Sequence, residues 1–153
     1  MATSLIEPPV AAGKLETKLS SQDGIRDRVQ LALFSARAPR SFGERRRVHR
    51  YPYPYPVYLT PLARDGAACT EETIVVVGKH LSECGLDFYY HQPMPHRKMI
   101  ASFEYGDDHW VGLVLQLTWC RFSRHGWYDN GGRFLQVADS PLEDPSKIVA
   151  TFT

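Results

Sequence analysis

Hydrophobic and polar positions change period once along this chain. Ile25, Val29, Ala32 and Leu33 recur at helical spacing and predict a helix from about Asp23 to Ala36, with Ser20, Ser21 or Asp23 available as N-cap. Pro8, Pro9 and Gly13 make residues 1 to about 20 read as a flexible lead-in, and Pro39 stops the helix. From Tyr51 the period is two. Tyr51, Tyr53, Tyr55 and Val57 alternate with Pro52, Pro54 and Pro56, and proline lacks the N–H that a ladder needs, so this stretch is expected at an edge. Strands are then expected over Val57–Thr60, Thr73–Lys79, Gly85–His91, Lys98–Tyr105, Trp110–Phe122 and Trp127–Val137. In the longest of these, Val111, Leu113, Leu115, Leu117 and Trp119 share one alternating face. Asn130-Gly131-Gly132 predicts a bulge or bend in the last.

Five to six strands with short turns and no intervening helix predict an all-β fold, a small antiparallel barrel with an N-terminal helical extension. The expected division is a flexible segment and helix over 1–40, the barrel over 41–138 and a tail over 139–153. At 153 residues and 43% hydrophobic, such a chain builds its core without disulfide or metal staples.

Net charge is +1, which excludes a global field that would draw in nucleic acid or membrane. Positive charge is instead local: Arg37, Arg40, Arg45, Arg46, Arg47 and Arg50 are opposed only by Glu44. Cys69, Cys84 and Cys120 are an odd number without a CxxC pair, which fits a reducing compartment. Met1 to Pro9 has no basic head or apolar run, and no stretch is long enough to cross a membrane. A cytoplasmic protein is expected.

The basic run Arg45-Arg46-Arg47-Val48-His49-Arg50 follows Ser41-Phe42-Gly43, which reads as a hinge, and precedes the Pro/Tyr edge. Some thirty residues later, His80-Leu81-Ser82-Glu83-Cys84-Gly85 forms a polar turn between two apolar strands. Together these two segments resemble the paired motif of the PilZ domain, a bacterial receptor for cyclic di-GMP: RxxxR before the first strand, then (D/N)xSxxG between two later ones. Arg46 and Arg50 match the first half, and Ser82 and Gly85 match the second. His80 stands where the family has Asp or Asn. The resemblance covers roughly residues 44–138, with Leu117–Phe122 and Gly126–Phe134 similar to the closing hairpin of a PilZ barrel.

The resemblance implies cyclic di-GMP as ligand, no further cofactor, and a ligand set of Arg45, Arg46, Arg47, Arg50, His80, Ser82 and Gly85. The chemistry agrees with it. Guanidinium is the side chain whose planar fork grips a phosphate or the O6/N7 edge of guanine with two bonds. Ser82 would donate its hydroxyl, and Gly85 would allow either positive φ or close approach. A carboxylate accepts from guanine N1–H and N2–H together, whereas neutral imidazole has one acceptor nitrogen and imidazolium none. The alternative is a degenerate PilZ-like adaptor that binds protein rather than nucleotide. A downstream protein partner is expected in either case. The exposed edge strand and the helix can also support a homodimer.

Other segments read more simply. The tyrosine stripe is expected to pack an edge strand rather than stack nucleic acid. Asp107-Asp108-His109 is expected as a solvated turn, and Cys84, His91 and His96 fit no standard zinc spacing. Trp119, Trp127 and Phe134 are expected in the barrel core or against the tail. No nucleophile–base pair or phosphate loop stands out, so no catalytic site is expected.

Overall fold

The structure, a computed structural model, describes residues 9–35, 49–123 and 125–143. One helix, α1 (Pro9–Ser35), precedes seven strands: β1 (Tyr51–Pro52), β2 (Pro56–Pro61), β3 (Ile74–Leu81), β4 (Gly85–Tyr90), β5 (Lys98–Tyr105), β6 (His109–Phe122) and β7 (Tyr128–Ala138). The strands run in the order β1-β3-β2-β5-β6-β7-β4, and β4 pairs back onto β3. Strands β2 to β7 thus close a six-stranded antiparallel barrel, the fold that the resemblance implies. Closure leaves no free edge along its wall.

Prolines explain why β1 is only two residues long. Between them, Tyr53 N–H donates to Lys79 C=O at 2.9 Å and Gly78 N–H to Tyr55 C=O at 2.9 Å, so the Pro/Tyr segment is tied to β3 where donors remain. Tyr53 is buried in the core with Phe103 and Phe134 beyond it. The inward residues of successive strands, among them Val57, Leu59, Val76, Phe88, Met99, Leu113 and Leu115, fill the interior.

Helix α1 begins at Pro9 rather than near Asp23. Proline costs nothing in a first helical turn, where its missing N–H would have no partner, and one interior glycine costs only about 1 kcal/mol. Ile25, Val29, Ala32 and Leu33 are buried against the barrel, as their spacing predicts. Arg28 Nη1 donates to Gly112 C=O at 2.9 Å and to Ala138 C=O, strapping the helix to β6 and β7.

Burial pushes the Tyr53 phenol up from 10.0 to about 12, with the nearby Tyr55 and Glu104 charges adding to it. The folded state therefore favours the neutral phenol. Its stabilising contribution is complete below about pH 10 and is lost as pH rises through about 12. Urea denaturation at a series of alkaline pH values should show the parent losing about 2–3 kcal/mol more than Tyr53→Phe over this window. Parallel losses in the two proteins would place the alkaline transition elsewhere.

Candidate functional site

The turn between β3 and β4 is built by one hydroxyl. Cys84 N–H and Gly85 N–H donate to Ser82 Oγ at 3.1 and 3.2 Å, and Ser82 N–H donates to Gly85 C=O at 3.0 Å. Ser82 is buried, so its side chain holds the turn rather than standing free in solvent. Gly85 opens β4 opposite Arg133 of β7. It does not have positive φ, a conformation that the described glycines adopt at Gly66, Gly106 and Gly126. Close approach is what demands glycine here: a Cβ would lie 2.1 Å from Gly132 C=O.

Beyond the turn, the ladders align a row of residues across four strands. Trp119 of β6 pairs with Gly131 of β7, Gly131 with Asp87 of β4, and Asp87 with His80 of β3. Pro52 of β1 pairs with His80 and brings Arg50 alongside. Arg50 Nη1 and His80 Nδ1 each lie 3.7 Å from Asp87 Oδ2. These are ion-pair distances and too long for hydrogen bonds. Asp87 is 19% exposed and Arg50 64%, so the carboxylate is packed into the wall and the guanidinium stands largely in solvent.

The row and the turn enclose a cleft of about 530 Å³, within the ~300–1,000 Å³ range of ligand pockets. Arg50, His80, Ser82, Gly85, Trp119 and Arg133 are among the residues lining it. Four of the seven expected site residues therefore meet: Arg50, His80, Ser82 and Gly85. Arg45, Arg46 and Arg47 lie outside the described residues. Two arginines and one carboxylate among the lining residues leave the cleft positive and suited to an anion.

Trp119 is not in the core. It is 37% exposed and lines the cleft. Strand β6 carries an irregularity here, since Leu117 pairs with Gly132 and Trp119 with Gly131, leaving Thr118 as an extra residue. Such a bulge shifts the alternation by one, so Trp119 leaves the face that Leu113, Leu115 and Leu117 share. Its indole crosses Gly131, where a Cβ would sit 2.1 Å from Nε1, and the Arg121 guanidinium lies 5.1 Å from the ring centroid. Trp127 is likewise exposed, and Phe134 is buried as expected.

Asp87, Trp119 and Arg133 are the charged and aromatic lining residues outside the expected ligand set. Asp87 left a readable signal. Antiparallel pairing around Ser82–Gly85 sets Leu81 opposite Leu86 and His80 opposite Asp87, which can be counted from the turn outward. Trp119 left none, because the bulge that turns it depends on its partner strand.

The turn also touches the helix. Arg26 Nε lies 3.5 Å from Glu83 Oε1, with both side chains about half exposed. Such a pair contributes little stability, at most ~1 kcal/mol. Among the described residues, no group of three or more His, Cys, Asp or Glu is placed to hold a metal ion, and no helix is long and apolar enough to cross a membrane.

No family model matches this chain, and no curated protein matches it. Among solved structures, it is similar to the PilZ domain with c-di-GMP of YcgR from Escherichia coli, at 16% sequence identity and a TM-score of 0.42, covering 71% of this chain and 91% of that one.

Proposed function

We propose that this chain is a non-enzymatic receptor for cyclic di-GMP, held in the cleft between Arg50, Trp119 and the Ser82–Gly85 turn. One observation carries the reading. Two segments some thirty residues apart in sequence, the end of the arginine run and the Ser/Gly turn, line the same positive cleft. Arg50 is largely exposed, so its guanidinium is free of packing that would stop it turning onto a phosphate or guanine edge, and Arg45, Arg46 and Arg47 lie three to five residues before it. Trp119 is partly exposed beside the cleft, and a base that displaces the Arg121 guanidinium from over its ring can stack there. Ser82 acts by shaping the turn, whose Cys84 and Gly85 amides its hydroxyl engages.

Two or three charge-assisted contacts of about 1.5–3 kcal/mol each, with one stacked base, supply most of a micromolar affinity, about 8 kcal/mol. The Arg26–Glu83 pair joins the ligand turn to α1, so a shift of the turn on binding can reach the helix and a protein partner beyond it. The expected setting is the bacterial cytoplasm. Titration calorimetry of the purified protein should give saturable heat with cyclic di-GMP at micromolar concentrations. Absence of heat at ~100 µM ligand rejects the reading.

A second reading has its own observation. Val75, Val77, Phe122 and Trp127 are exposed on the outer wall, and Val77 and Trp127 line a second hollow of about 370 Å³ with Tyr89 and Asp129. This surface fits a protein-interaction adaptor that has lost its nucleotide. That reading requires a parent protein silent towards cyclic di-GMP and a His80→Asp variant that binds it.

A further inference from the structure

We propose that Asp87 makes this cleft selective for guanine, acting as the paired acceptor that His80, with at most one acceptor nitrogen, cannot be. The inference rests on the cyclic di-GMP reading above. Asp87 is the one carboxylate among the described residues lining the cleft, and it sits among Arg50, His80 and Arg133. A fixed negative charge in a site for a dianion works against binding unless the ligand brings donors to it. Cyclic purine dinucleotides share ribose 2′-hydroxyl donors and differ in the donors on their bases. Guanine presents N1–H and N2–H side by side, a pair that a carboxylate accepts in two parallel bonds. Adenine presents the lone pair of N1 beside its N6 amino group, so one acceptor faces another.

Geometry assigns the role to Asp87. It is directly opposite His80 on the β3–β4 ladder, so an acceptor at either position faces the same part of the cleft. Gly131, its partner on the other side, contributes no side chain and is crossed by the Trp119 indole. Trp119 and Asp87 are two strands apart, ~10 Å, so a purine stacked on the indole turns its edge towards the carboxylate. Arg50 Nη1 and His80 Nδ1, each 3.7 Å from Oδ2, flank that carboxylate in a partly buried position.

Asp87→Asn, which preserves shape, is the test, with cyclic di-GMP and cyclic di-AMP titrated into parent and variant. Removal of a negative charge from an anion site should by itself tighten both ligands. The proposal requires the opposite for guanine: cyclic di-GMP affinity falls by about 10-fold or more while cyclic di-AMP is unchanged or improved. A double variant, His80→Asp with Asp87→Asn, moves the carboxylate across the rung and should recover most of the lost discrimination. Equal or tighter cyclic di-GMP binding by Asp87→Asn overturns the proposal, as does an equal loss for both ligands. A parent that binds neither dinucleotide fails the receptor reading itself, which keeps the two failures apart.

Discussion

Gly85→Ala should lower the thermal midpoint by roughly 10 °C, the largest stability effect expected from any single methyl group at this site. The added Cβ would meet Gly132 C=O at 2.1 Å and Arg133 Cα at 3.1 Å, both backbone atoms of β7. Backbone cannot rotate away as a side chain can, so β4 and β7 must part where Gly85 pairs with Arg133. Overpacking commonly costs ~1–3 kcal/mol, and a clash with a ladder carbonyl belongs at the upper end, about 3 kcal/mol. Binding should fall with stability, because Gly85 C=O and N–H both close the turn with Ser82. Differential scanning fluorimetry checks the first effect. A midpoint within ~2 °C of the parent would mean that the strands can separate cheaply and that Gly85 is present for another reason.

Trp119→Ala and Arg50→Ala should each weaken cyclic di-GMP by about 10- to 100-fold with little change in stability, but for different physical reasons. Stacking on an aromatic face contributes ~1–3 kcal/mol per base and responds weakly to salt. A charge-assisted arginine contact contributes ~1.5–3 kcal/mol and is screened as salt rises. Titrations at low and high ionic strength therefore separate the two. Arg50→Ala should flatten the salt dependence of binding, and Trp119→Ala should keep the slope of the parent. Both side chains are substantially exposed, so truncation opens no cavity in the core. Unchanged affinity in Arg50→Ala would remove this arginine from the site and leave the ligand, if bound, to other cations. A large stability loss in Trp119→Ala would return the indole to a packing role.

Asp87 and Trp119 changed the picture of the site more than the motif residues did. Ser82 reads from sequence as a hydroxyl offered to a ligand, yet it is buried and engages two amides of its own turn. Gly85 reads as either a positive-φ residue or a point of close approach, and the β7 backbone decides for the second. His80 reads as a lost acceptor, and a carboxylate stands opposite it on the next strand. In each case the residue type was visible, and its use depended on what a neighbouring strand placed against it.

The division between the two levels follows from the range of the forces involved. Period-two alternation, β-branched runs and Gly/Pro punctuation are local, so the chain itself determined the all-β class and the strand Lys98–Tyr105 to the residue. It also determined the helix face of Ile25, Val29, Ala32 and Leu33, and the polar turn at Ser82–Gly85. Barrel closure by β3 and β4, the bulge at Thr118 and the row from Trp119 to His80 depend on pairings between strands far apart in sequence. A single inserted residue on one strand reverses the side to which every later side chain points, and only the partner strand reveals the insertion. That reversal took Trp119 out of the expected core and put it in the cleft, so the residue types of the site belong to the sequence and their meeting belongs to the barrel.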